Sequence, residues 1–87
     1  MPMEMVMVTL RDEGHTFAYD LELPYEMEAE RLIGQIVQAL HAYNHHLTLS
    51  PSCKLYLPHE RQVLRPWESL AQAGVHNGDY LVLVGGT

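Results

Sequence analysis

The sequence predicts an α+β fold: a mixed four- to five-stranded sheet over one helix, in the order β-β-α-β-β-β. Three stretches carry that expectation. Residues 16–23 alternate, with Phe17, Tyr19, Leu21 and Leu23 on one face and Ala18, Asp20 and Glu22 on the other, the period of a half-buried strand. Residues 26–43 repeat apolar side chains at spacings of three and four (Ala29, Leu32, Ile33, Ile36, Leu40, Tyr43), one stripe of a helix. Residues 80–84 are almost wholly apolar and so require neighbours on both sides.

Taken in order, Met3 to Arg11 forms the first strand, with Val6, Val8 and Leu10 on one face and Met5, Met7 and Thr9 on the other. Asp12-Glu13-Gly14-His15 is a turn in which Gly14 is expected to take a positive φ. The second strand ends at Pro24, which has no N–H to donate. Glu26, Glu28 and Glu30 sit where a helix N-terminus favours negative charge, Gly34 implies close approach to a strand, and Asn44 suits a left-handed cap. Cys53 to Leu57 is a short strand with Leu55 and Leu57 inward and Lys54 and Tyr56 outward; Gln62 to Leu64 is a shorter one. Pro66 to Leu70 reads as a single helical turn with proline at its first position, and Trp67 as a lid on the core. A hairpin, one helix and three more strands close a core in few ways, and right-handed crossover sets the last strand parallel to the first. That arrangement is the β-grasp.

Size and charge bound the function. The 87 residues suffice for one domain, taken as residues 1–84 with a three-residue tail, 85–87. Five basic against eleven acidic side chains, a net charge of −6, argue against nucleic acid and against an anionic membrane surface. Cys53 is the single cysteine, so no internal disulfide can form and a reducing cytoplasm is the expected setting. Met1 to Leu10 lacks the basic flank of a signal peptide. There is no phosphate loop, Cys-x-x-Cys pair or nucleophile elbow, and the sequence reads as a non-enzyme without cofactor. His41 and His45 are spaced i, i+4 with His46 following, yet nothing completes a metal set, so a solvated helix end is expected and no metal. Cys53 is expected to be a small buried hydrophobe. The clusters Asp12-Glu13 and Glu26-Glu28-Glu30 read as solvated faces able to steer a basic partner.

The segment Leu70-Ala71-Gln72-Ala73-Gly74-Val75-His76-Asn77-Gly78-Asp79-Tyr80-Leu81-Val82-Leu83 resembles the recurring pattern of the ubiquitin-like superfamily: a Leu, a Gly before an aliphatic residue, then Gly-Asp before a Leu-x-Leu strand. Leu70 and Val75 are expected to plug the open end of the core, and Leu81 and Leu83 to point inward. Within that superfamily the chain is most similar to the small bacterial YukD/EsaB-type proteins, over about residues 3–84, which implies a non-covalent accessory role in type VII-like secretion. Gly85-Gly86-Thr87 resembles instead the end of a ubiquitin-type precursor. That likeness implies trimming of Thr87, then conjugation through the Gly86 carboxyl by an E1-like activating enzyme and an E2-like enzyme, after a JAB-type or cysteine peptidase, onto target protein amines. Glycine suits such a tail because the absence of Cβ lets donor groups approach the carbonyl. Conjugation is the leading expectation here. The secretion accessory is its alternative, and a ThiS/MoaD-like sulfur carrier a further one. Lys54, the single lysine, would be the one acceptor for lysine-linked chains. Tyr56, Val82 and Val84 should share the outer sheet face, where ubiquitin-like proteins meet partners.

Overall fold

The computed structural model describes residues 4–44 and 52–85. Its elements are β1 (Met5–Asp12), β2 (Ala18–Pro24), α1 (Ala29–Tyr43), β3 (Lys54–Leu57), β4 (Gln62–Val63) and β5 (Asp79–Val84). The strands form one sheet in the order β2-β1-β5-β3-β4. β5 runs parallel to β1, with Leu10 beside Leu81, and antiparallel to β3, with Leu55 beside Leu83. The expected β-grasp is the fold.

Alternation places the core. Val6, Val8 and Leu10 from β1, Leu55 and Leu57 from β3 and Leu81 and Leu83 from β5 are buried against Ala29, Leu32, Ile33, Ile36 and Leu40 of α1. Leu70 and Val75 are buried in this core, and Cys53 is buried in the same cluster. Burial raises the Cys53 thiol above its usual pKa against a smaller opposing effect of its own backbone hydrogen bond, so it is a packed side chain rather than a reactive one.

Several local expectations are corrected. The helix begins at Ala29, three residues later than the acidic run suggested, because residues 25–28 are needed to turn the chain out of β2. Its first N–H groups are met by another segment: Ala29 N–H donates to the Glu68 carbonyl (2.8 Å) and Glu30 N–H to the Pro66 carbonyl (3.0 Å). That loop spends its carbonyls on the helix start, and Trp67 projects outward at 67% exposure instead of covering the core. A single turn does form at Pro66, closed by Glu68 N–H on the Arg65 carbonyl (3.0 Å), and a second follows from Ser69, where Gln72 N–H donates to Ser69 Oγ (3.1 Å) and Ser69 N–H to Gln72 Oε1 (3.0 Å). Ser69 and Gln72 thus cap each other reciprocally.

Asn44 is extended (φ −144°), not left-handed, and its N–H closes the last helical bond to Leu40 O (2.9 Å). Tyr43 is exposed rather than in the core stripe, its ring stacked on Tyr19 at 6.0 Å. Nothing lies within 4 Å of a Cβ built on Gly34, so no strand approaches it. Pro24 does not end the β1–β2 ladder: Tyr25 N–H donates to Glu4 O (2.8 Å), and the missing proline N–H faces the free edge, where it costs nothing.

In the β1–β2 turn the left-handed residue is His15 (φ 56°), not Gly14. Asp12 organises that turn. Its carboxylate accepts from Thr16 N–H (2.7 Å), Phe17 N–H (3.2 Å) and the Thr16 hydroxyl. Desolvation pushes the Asp12 carboxyl upward, but the bonds from the Thr16 side chain and the Phe17 and Thr16 amides outweigh it and hold the pKa below its ordinary 3.8. A depressed folded-state pKa means a contribution to stability that is present above the ordinary value and lost as pH falls through the folded one. The gap in urea midpoint between the wild type and Asp12→Asn is therefore expected to be constant near neutrality and to narrow as pH falls below about 4.

Candidate interaction surface

The same alternation that buries Leu81 and Leu83 turns Tyr80, Val82 and Val84 to the outer face of the sheet. Register carries a row across four strands: Val63 of β4 pairs with Tyr56 of β3, Tyr56 with Val82 of β5, and Val82 with Arg11 of β1. Lys54 pairs with Val84 one step along. The three residues expected to form a patch therefore lie together. They are not equally available: Val82 is only 6% exposed, and Tyr56 and Val84 are half-buried. Val82 acts as the floor of the patch, while Val63, exposed at its margin, supplies accessible apolar surface.

Sequence reasoning missed the other half of this face. Met5, Met7 and Tyr80 are all exposed, and the pairing of Thr9 with Tyr80 sets Tyr80 next to the β1 row. The signal is present in the alternation of Met5, Met7 and Thr9 opposite Val6 and Val8. Thr9 Oγ1 donates to Asp20 Oδ1 (2.7 Å), and this polar pair interrupts the apolar surface toward β2.

Two bonds fix where β5 begins. Met7 N–H donates to Asn77 Oδ1 (2.9 Å), and Gly78 N–H donates to the Met7 carbonyl (2.8 Å). At the other end Gly85 is exposed with φ 72°, and its N–H donates to Glu13 Oε1 (3.0 Å). The β1–β2 turn thus holds the root of the tail. Gly86 and Thr87, named as the conjugation and processing residues, lie outside the described residues, as do His45 and His46. His41 is exposed on α1. Among the described residues no group of three or more His, Cys, Asp or Glu could hold a metal ion, and no helix is long and apolar enough to cross a membrane.

Solved structures share this architecture. The ubiquitin-like domain of the Mycobacterium tuberculosis type VII secretion system protein EccD1 is 24% identical, covering 95% of this chain and 100% of that one at a TM-score of 0.74. Caldiarchaeum subterraneum ubiquitin is 20% identical over 97% of this chain and 96% of its own, at 0.70. A chain of the MycP5-free ESX-5 inner membrane complex is 18% identical at 0.71; the match covers 95% of this chain and 22% of that longer one. At such identities these likenesses carry the fold alone. No curated protein matches. The family model described as "WXG100 protein secretion system (Wss), protein YukD" matches residues 5–83, nearly the whole chain, and the chain belongs to the YukD family.

Proposed function

We propose that this protein is a non-covalent docking component of a WXG100-type secretion system, meeting a protein of the secretion apparatus on the cytoplasmic side through the outer face of its sheet. The observation that carries the reading is the family match across residues 5–83. The outer face supplies the means: an apolar surface of Met5, Met7, Tyr80 and Val63 around the half-buried Tyr56, on a sheet whose opposite face carries the core. Exposed aromatic and methionine side chains on a rigid sheet bury apolar area on docking with little loss of side-chain freedom for the rings. The reading needs no chemistry at a chain end, whereas conjugation and sulfur transfer both depend on Gly86 and draw no support from the family match.

The test separates these readings. In cells that secrete a WXG100 substrate, deletion of residues 85–87 is expected to leave secretion unchanged, while Tyr56→Ser combined with Tyr80→Ser abolishes it with the protein still folded. Loss of secretion on the deletion, together with a Gly86-linked adduct in intact-mass spectra, would return the assignment to a modifier.

A further inference from the structure

The sheet has one long free edge. β2 is an outermost strand of seven residues, Ala18–Pro24, whereas the opposite edge strand, β4, has only two. The direction of the unpaired β2 groups follows from one bond. Tyr25 N–H donates to Glu4 O, so Glu4 and Tyr25 form a hydrogen-bonded pair. In an antiparallel ladder such pairs recur at every second residue. Leu23 with Val6, Leu21 with Val8 and Tyr19 with Leu10 are then the bonded pairs, and the peptide groups of Ala18, Asp20 and Glu22 point away from β1 toward open space. Pro24, with no N–H, falls on the same outward parity. Proteins usually blunt such an edge with Lys, bulges or brevity. Here the strand carries no Lys and is neither short nor bulged; Pro24 at its end and the carboxylates of Asp20 and Glu22 are what blunt it.

Beneath this edge the sheet and helix do not close fully. A groove of about 190 Å³ lies between β2 and α1, lined on the strand by Leu21 and Leu23 and on the helix by Leu32, Ile36 and Ala39. Leu21 is half-buried and packs against the core from its margin. Toward the hairpin tip stacked aromatic rings bridge strand and helix, Phe17 on Tyr19 at 5.5 Å and Tyr19 on Tyr43 at 6.0 Å. The charge of the edge is one-sided. Residues 12–24, the hairpin turn and the edge strand, hold Asp12, Glu13, Asp20 and Glu22 and no Lys or Arg.

We propose that the β2 edge accepts an extended segment of a partner protein by strand addition, with alternate apolar side chains of that segment seated in the β2–α1 groove and Lys or Arg at the positions between. The alternation follows from the pleat. A residue opposite Leu21 points toward the groove, and residues opposite Asp20 and Glu22 point outward beside those carboxylates, where a cation is the favoured cross-strand neighbour. The same carboxylates disfavour a second copy of this chain, because pairing two β2 edges sets Asp20 and Glu22 against like charges. The site adjoins the outer face at Met5, but its argument rests on the β2 edge and does not depend on the secretion reading.

Hydrogen exchange and amide chemical shifts, recorded on the full chain with a short capped peptide of alternating Lys and Val as probe, test this. At saturation the amides of Ala18, Asp20 and Glu22 are expected to exchange at least about 10-fold more slowly, since they gain ladder partners. A peptide of the same composition in two blocks, Val then Lys, should bind at least about 10-fold more weakly, a difference that plain charge attraction would not give. Glu22→Ala should weaken binding a few-fold by charge, and Glu22→Pro should abolish it by removing an outward N–H while leaving the β1 ladder intact. Equal binding of both peptides, unchanged exchange at the three amides, or shifts centred on Tyr56 and Val82 would each overturn the proposal. The exchange readout on the wild type decides the matter even where Glu22→Pro does not fold. A failure here leaves the secretion assay of the outer-face variants untouched, so the two readings fall separately.

Discussion

Leu81→Ala is expected to lower the stability of this domain by about 3 kcal/mol, within the range of roughly 2–5 found for buried leucine truncations. Leu81 is fully buried on the strand that lies between β1 and β3. Its register partner on β1 is Leu10, also fully buried, so the cavity would open where sheet and helix meet rather than at a margin that could settle inward. A small domain has a total stability of about 5–15 kcal/mol, so the loss is a large fraction of it. It corresponds to a fall in thermal midpoint of roughly 12–24 °C for a chain of this size. Tyr80→Ala, one residue earlier on the outward parity, should cost about 0.5 kcal/mol or less. Urea unfolding of the two variants checks the contrast. A cost below about 1 kcal/mol for Leu81→Ala would mean that β5 is not the strand on which the core is built.

The period-two and period-3.6 patterns were enough to assign the fold because they are answered by burial alone. Val6, Val8, Leu10, Leu55, Leu57, Leu81 and Leu83 are inward, and so is the α1 stripe up to Leu40. The Leu70–Leu83 pattern was legible for the same reason, since each of its apolar residues fills part of the core. What failed depended on partners distant in sequence. Trp67 could not be placed without knowing that the carbonyls of Pro66 and Glu68 serve the start of α1, a contact spanning nearly the whole distance from helix to loop. The helix start failed for the same cause, as its cap lies in another segment and not at Glu26. In the hairpin, Asp12 fixes the turn through Thr16 and Phe17, and the positive φ passes to His15 rather than to the neighbouring glycine.

Of the candidate site, alternation located Tyr56, Val82 and Val84 on the outer face, but it could not rank their exposure. Val82 sinks between Tyr56 and Arg11, while Met5 and Met7 stand out beside Pro24 and Glu22 of β2, and Tyr80 stands out beside the short Thr9 of β1. The diglycine drew the sequence reading toward conjugation because it is conspicuous. The fold-specific residues, spread across 5–83, carry the family instead.

Two glycines of opposite kind give the second large effect. Gly78 has φ +90° and Gly34 lies inside α1, and a Cβ on either would meet nothing within 4 Å. Steric clash is therefore absent at both sites, and backbone preference alone decides the outcome. At Gly78 a β-branched residue has no comfortable conformation, and the bond from its N–H to the Met7 carbonyl, alongside that from Met7 N–H to Asn77, prevents the turn from relaxing to negative φ. Gly78→Val is expected to destabilise by about 2–3 kcal/mol, the cost of holding a non-glycine residue in a sparsely populated region. Gly34→Ala is expected to stabilise by roughly 0.5–1 kcal/mol, because alanine loses less chain entropy than glycine on entering a helix. Equilibrium unfolding of both variants would show the opposite signs. If Gly34→Ala proved destabilising, a strand would have to approach α1 after all. If Gly78→Val proved neutral, the Asn77-Gly78 turn would be free to rearrange, and the parallel register of β5 on β1 would have to be set by the strands themselves.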